Sequence, residues 1–358
     1  MIEPFNAVGL VPTVWGIRHR SEISKNIEHL ASMANAALWL SSLDLPVKLI
    51  ALPEGALQGF NDEVMDADHV EFAKECAIDI PGPETELIAE KIARAHGVYV
   101  MGQAKARHEE IPDRFFNVGF ILNPEGEVIL KHYKVSPLFP VEHSVCPHDI
   151  YDWWVERYGN NLDAFWPVVD TDIGRMGIMM ANEGSYPENA RALALNGAEI
   201  VYRASIPHPA ASSDYFEITN RARALDNNFY VMAPNMGTYY LTQDDETPVD
   251  TFGGQSMIVD YRGQVVGKQS YGGVSTSVSG PINIEAMRAH RQNSLWTNWM
   301  KDLRTELYQI VYKDPIYPKN LYLDREPMKH AEYEEKVIKR QVKLMQDADI
   351  WKKPYSED

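Results

Sequence analysis

Apolar residues recur along the first half of the chain at two spacings. Between residues 21 and 43, Ile23, Ile27, Leu30, Ala34 and Leu38, flanked by Ala31 and Ala37, repeat at helical period. This predicts an amphipathic helix. Residues 5–14 read as a strand, and the nearly all-apolar VKLIAL at 47–52 predicts a strand buried on both faces. Residues 83–96 predict a second helix, with Leu87, Ile88, Ile92 and Ala95 on one side, and 99–102 a further strand. FFNVGFIL and EVILKHYK, joined by Asn123-Pro124-Glu125-Gly126, predict a hairpin over 115–134. A similar hairpin turns at Asp172-Ile173-Gly174-Arg175 into a strand over 176–181. Pro187 suits the first position of a helix reaching about Leu195 and ended by Asn196-Gly197. Strands at 200–203 and 229–233, a helix at 213–228 and a hairpin over 255–268 complete a layered α/β domain, expected to end near residue 284. The remaining 285–358 reads as a C-terminal arm, with an extended DPIYPKNLYL stretch and an amphipathic helix around 330–347.

Charge narrows the function. Thirty-four Lys and Arg against 51 Asp and Glu give a net charge of −17. Such a chain repels phosphate backbones and anionic lipid, so no nucleic-acid or membrane partner is expected. No apolar run approaches the roughly 18 residues of a membrane span. The start, MIEPFNAVGL, has no basic segment before an apolar one, so no secretory signal is expected. Cys76 and Cys146 make no disulfide framework, which fits a cytoplasmic location. GxGxxG and GxxxxGK[ST] are both absent, and no cofactor is expected.

Three strand ends deliver unusual residues. Glu54 follows the buried run directly, where desolvation would raise a carboxyl pKa and suit it to act as a base. Lys134 closes the strand EVILKHYK, and Glu142 follows in KVSPLFPVE. Position 181 stands at a strand-to-helix elbow, where a thiol would be acidified and presented outward. Singly, each has a bland reading: a loop carboxylate, a solvated lysine, and a helix start capped by Ser185.

Together they resemble the carbon–nitrogen hydrolase (nitrilase) superfamily, in its aliphatic amidase and formamidase branch. Its P-E-x-x-x-x-G motif matches Pro53, Glu54 and Gly59. Its K-x-x-P-x-x-P-x-E motif matches Lys134, Pro137, Pro140 and Glu142. The elbow motif reads Ala181-Asn182-Glu183-Gly184-Ser185-Tyr186-Pro187-Glu188, then Arg191, Leu193, Ala194, Gly197, Ala198 and Glu199. RARALDNN, APN at 233–235 and FGGQSMIVDYRG at 252–263 also look like family segments, so the likeness covers about residues 5–284. The resemblance implies a four-layer α-β-β-α sandwich and hydrolysis of a carboxylic amide to acid and ammonia or amine. It implies Glu54 as base, Lys134 and the Asn182 N–H as oxyanion donors, Glu142 as an orienting carboxylate, and Tyr186 and Arg203 as pocket neighbours. A nitrilase would use the same triad.

The departure is Ala181, where the family has its nucleophilic cysteine. A methyl group cannot attack a carbonyl. An engineered Cys→Ala exchange, a natural loss of hydrolysis that leaves a binder or scaffold, and replacement by Ser185 are the open explanations. Glu54, Lys134 and Glu142 would form a costly buried cluster of no use to a bare scaffold, which favours the first. His143, Cys146, His148 and Asp149 offer metal donors, but their spacing matches no structural zinc pattern and no metal is expected. Glu54 with Glu142 could suggest glycoside hydrolysis, where the lysine and the elbow have no role. Tyr151, Trp153, Trp154, Tyr158, Phe165 and Trp166 form an aromatic insertion beside the expected pocket, most simply read as packing. The arm carries Trp296, Trp299, Leu303, Leu307, Ile310, Tyr312, Ile316, Tyr317, Leu321, Tyr322 and Leu323. That is too much apolar surface for water, so the chain is expected to form a homo-oligomer through the arm, the alternative being an arm wrapped on its own domain.

Overall fold

The computed structural model describes residues 1–138, 141–205, 214–249 and 254–354. Pro140, residue 213, Phe252 and Gly253 of the expected elements and motifs therefore lie outside the described residues.

Two six-stranded sheets form the fold. The first is ordered Thr276–Ile282 (β14), Phe5–Val11 (β1), Val47–Ala51 (β3), Tyr99–His108 (β4), Ile111–Leu122 (β5) and Val128–Tyr133 (β6). The second is ordered Val265–Gln269 (β13), Ser256–Val259 (β12), Tyr230–Ala233 (β10), Ile200–Tyr202 (β9), Met176–Ile178 (β8) and Val168–Val169 (β7). Thr13–Trp15 (β2) pairs in parallel with Thr238–Tyr240 (β11). In each sheet a parallel core, β1-β3-β4 or β8-β9-β10, is flanked by antiparallel neighbours.

Strand alternation explains the layers. Along β3 and its end, Leu49 and Ala51 turn inward to meet Met180, Ile200, Tyr202 and Met232 of the second sheet. Ile50 and Leu52 turn outward against Ile27, Leu30 and Ala34 of the helix Ile23–Ser41, and Ile88 and Ile92 of the helical segment after Pro83. On the other outer face Val201, Val231 and Met257 meet Leu193 of Pro187–Leu195 and Phe216 and Ala224 of Tyr215–Asn227. This is the expected α-β-β-α sandwich.

Some boundaries differ from the sequence expectation. The strand over 5–14 breaks at Pro12, which has no N–H for a ladder. The second helix is α-helical over Pro83–Ile88 and π-helical over Ala89–Arg94. β4 continues six residues past 102, because Gln103 and Lys105 find buried polar partners that make their alternation compatible with a core strand. β8 stops at Ile178, and Ala181–Ser185 forms a 3-10 turn.

The helix Ile284–Asn293 crosses position 284 and inserts Ile284 and Met287 between the sheets. Further on, Tyr322, Met328, Tyr333 and Val337 join the outer layer of the first sheet. The segment between is different: Leu295, Trp296, Leu307, Ile310, Val311 and Ile316 are exposed. Helical structure runs through His330–Tyr333, Glu334–Ile338 and Lys339–Asp347, as the pattern predicts. No helix among the described residues is long and apolar enough to cross a membrane.

Candidate active site

Glu54, Lys134, Ala181 and Arg203 each follow the end of a strand, β3, β6, β8 and β9 respectively, at one edge of the sandwich. Ligands of open α/β sheets bind outside such carboxyl ends. Glu54, Lys134 and Glu142 are almost completely buried and touch. Lys134 Nζ lies 3.1 Å from Glu54 Oε1 and 2.7 Å from Glu142 Oε2. Asn117 Nδ2 bridges the two carboxylates, at 2.8 Å from Glu54 and 2.9 Å from Glu142. Glu142 also accepts from Ser144 Oγ and from the Leu138 N–H. Gln103 fixes the bridge: its amide donates to Asn117 Oδ1, and its carbonyl accepts from the Gly55 N–H beside Glu54.

This geometry separates the two carboxyls. Burial drives Glu54 up, the Lys134 charge opposes it, the Glu142 charge adds to the rise, and the net shift is upward. Burial also acts upward on Glu142, but Lys134 and the hydrogen bonds it accepts outweigh this and hold it at about 2. Burial alone would lower Lys134; Glu142 and Glu54 reverse that and raise it. The arrangement is a proton acceptor with raised affinity, a fixed cation and a fixed anion. A second buried group lies close behind: Lys105 pairs with Asp62 and, at 3.0 Å, with Glu63, whose carboxyl burial pushes up to about 8.

The elbow is held independently of any nucleophile. Ala181 has φ +42°, a left-handed conformation that a non-glycine residue adopts at a strain of order 1–3 kcal/mol. Glu183 is fully buried and latches the elbow to the lysine strand. Its carboxylate accepts from the N–H of Met180 and of Val135, both at 2.6 Å, and lies 2.9 Å from His132 Nε2. Met180 and Val135 are the neighbours of Ala181 and Lys134, so this latch draws positions 134 and 181 together. Arg203 is buried, donates to the Ala181 carbonyl at 3.2 Å, and donates to Thr219 and Asn220. It props the elbow through that carbonyl. Gly184 has no room for a Cβ against that guanidinium.

Asn182 and Tyr186 line a cavity of about 740 Å³ with Val135, Pro137 and Leu138 of the loop after Lys134. The aromatic insertion and the arm build its far wall, through Tyr151, Phe165, Trp166, Tyr317 and Tyr333. Packing and cavity wall are thus both roles of that insertion: Trp154 is buried, whereas Tyr151 and Phe165 stack beside the opening. Tyr317 and Tyr333 meet through their hydroxyls at 2.7 Å. The four donors His143, Cys146, His148 and Asp149 do not act as one group. Cys146 and Asp149 cap their own turn, with the Cys146 N–H on Asp149 Oδ2 at 3.0 Å. Sequence reasoning missed Asn117, Gln103 and Glu183 as organisers of the site. The polar Asn117 within the apolar run FFNVGFIL was the available signal.

The carbon–nitrogen hydrolase family model matches residues 13–291. A formamidase from Bacillus cereus (strain B4264) is 28% identical over 228 residues, 62% of this chain and 59% of the relative. The chain thus spans under two thirds of that relative's length. Among solved structures, a carbon–nitrogen hydrolase from Helicobacter pylori G27 superposes with TM-score 0.66 at 18% identity, covering 87% of this chain and 99% of that one. A cysteine-to-alanine mutant of an amidase from Nesterenkonia sp. AN1, in complex with butyramide, superposes with TM-score 0.61 at 17% identity, covering 86% and 96%. A matched family model over most of the length, on a sandwich whose strand ends carry Glu54, Lys134 and the elbow, makes this chain a member of the carbon–nitrogen hydrolase family.

Proposed function

We propose that the chain carries an amidase-type site that binds a small carboxylic amide and, with Ala181 at the nucleophile position, leaves it uncleaved. The observation that carries this reading is the Glu54–Lys134–Glu142 cluster beside an elbow held at positive φ. With a cysteine at 181, Glu54 would take the thiol proton and the thiolate would attack the carbonyl carbon. Lys134 and the Asn182 N–H would stabilise the oxyanion. Glu54 would return the proton to the leaving nitrogen, then activate water to release the acid from the thioester. Glu142 would hold Lys134 and orient the amide. Tyr186 would border the substrate, and Arg203 would act through the elbow backbone. The aromatic cavity reached past Asn182 would take the substituent on the amide. In the same fold, the Cys-to-Ala amidase with butyramide supports retention of binding once the sulfur is gone.

Titration calorimetry of the chain with butyramide and with benzamide tests this. Saturable binding without ammonia release is expected. Ammonia release by the Ala181 chain, or no saturable binding of either amide, would contradict it.

We also propose that the chain works as a homo-oligomer in a reducing cytoplasm, where the unpaired, buried Cys76 and Cys146 stay reduced. The support is the exposed apolar run from Leu295 to Ile316, too continuous for scattered surface residues. Sedimentation should give at least a dimer; a 40.7 kDa monomer at micromolar concentration would refute the claim.

A further inference from the structure

Asp66, His143 and His330 come from three distant parts of the chain and meet at one point. His143 Nε2 lies 3.0 Å from Asp66 Oδ1 and 2.7 Å from His330 Nε2. One ligand atom from each residue falls within 4.8 Å of the others. His330 Nε2 also lies 3.0 Å from the Val141 carbonyl oxygen.

Protons alone do not satisfy this arrangement. The contact to Val141 needs an N–H on His330 Nε2. The contact to Asp66 needs an N–H on His143 Nε2. Two N–H groups cannot face each other across 2.7 Å. Removing either proton leaves the carboxylate or the carbonyl opposite a nitrogen lone pair. A cation between the two rings and the carboxylate removes the clash across the 2.7 Å contact, because both nitrogens and the carboxylate then offer lone pairs to one centre, and the Val141 carbonyl oxygen, 3.0 Å from His330 Nε2, is a further lone pair beside it.

We propose that Asp66, His143 and His330 bind one divalent transition-metal cation of the Zn²⁺ type. Two imidazoles and a carboxylate are a donor set for such ions, with water completing the tetrahedron. Bonds of about 2.0–2.1 Å would set the ligand atoms about 3.3 Å apart, so the two ring nitrogens need to part by some tenths of an ångström while Asp66 Oδ1, whose nearest His330 nitrogen is Nδ1 at 3.8 Å, closes toward Nε2. His143 is buried and held in place, with its carbonyl 3.0 Å from His69 Nδ1. Asp66 and His330 remain partly exposed, which leaves an entry path.

The position of the site gives it a consequence. His143 directly follows Glu142, and His330 stands one helical turn before Tyr333, a wall of the large cavity. The ion would tie the C-terminal arm to the loop that carries Glu142. This inference does not depend on whether the chain binds amides.

The test uses the full chain after dialysis against chelator, titrated with Zn²⁺. One ion per chain is expected. Loss of an outer partner of a metal site typically weakens binding by about 10–100-fold, so His330→Ala and Asp66→Asn, which remove direct ligands, should each reach at least the upper end. Both positions are partly exposed, so folding should survive. Limited proteolysis supplies a second readout: Zn²⁺ should slow cleavage within the arm of the parent chain and not of His330→Ala. The proposal is overturned by absence of stoichiometric binding, by affinities unchanged in both variants, or by zinc protection that persists in His330→Ala.

Discussion

Ala181→Cys should raise ammonia release from a short amide by roughly 10⁶-fold, the scale lost when a covalent nucleophile is deleted from a hydrolase. The expectation is this large because nothing else needs to change. The elbow already holds position 181 at φ +42°, and its geometry comes from the Glu183 latch and the Arg203 prop. Glu54 already has a raised proton affinity from burial, as a base for a thiol requires. Lys134 is already fixed as a cation by two carboxylates. Ala181→Ser is the control: a hydroxyl is far harder to ionise than a thiol and should recover only a small part. Equal ammonia release by the parent chain and Ala181→Cys would remove position 181 from the chemistry.

Lys134→Met should destabilise the fold by about 3–5 kcal/mol, the range for breaking a buried ion pair by removing one partner. The methionine fills most of the volume, so the loss is electrostatic. Glu54 and Glu142 would then share one buried donor, Asn117 Nδ2, with no cation between them. Protonation relieves that repulsion, and folded-state carboxyl pKa values raised above their unfolded values make stability fall as pH increases. The deficit should therefore be smaller near pH 5 than at pH 8. Urea unfolding at both pH values measures it, and a variant as stable as the parent at pH 8 would contradict the account.

The layered architecture was legible because Leu49 to Leu52, the end of β3 and the residue after it, are all apolar, a run of strand length that suits a strand covered on both faces. Glu54, Lys134 and Glu142 have bland readings singly, and only the ordered motifs that resemble the family mark them as a group, which the structure brings into contact. What organises them was not legible. Glu183 makes its contacts with Val135 and His132 from 48 and 51 residues away, and nothing in local pattern signals that pairing. The tail of β4 is not legible locally, because Gln103 and Lys105 look like surface residues until Asn117 and Asp62 stand opposite them. The donors proposed to hold a cation are not neighbours in sequence: His143 faces a ring 187 residues away.

The elbow has a consequence for how such a protein can change. The backbone tension at Ala181 is borne by Glu183 and Arg203, which hold the elbow through main-chain atoms, the Met180 N–H and the Ala181 carbonyl. Cysteine and alanine at this corner differ by one atom, at the rim of a site whose hydrogen-bond scaffold is complete without it. Selection for folding is therefore nearly blind to that atom, whereas on the proposed mechanism turnover depends on it entirely. On the proposed reading, one residue exchange, two nucleotide changes in one codon, would convert receptor to catalyst or back with the architecture undisturbed.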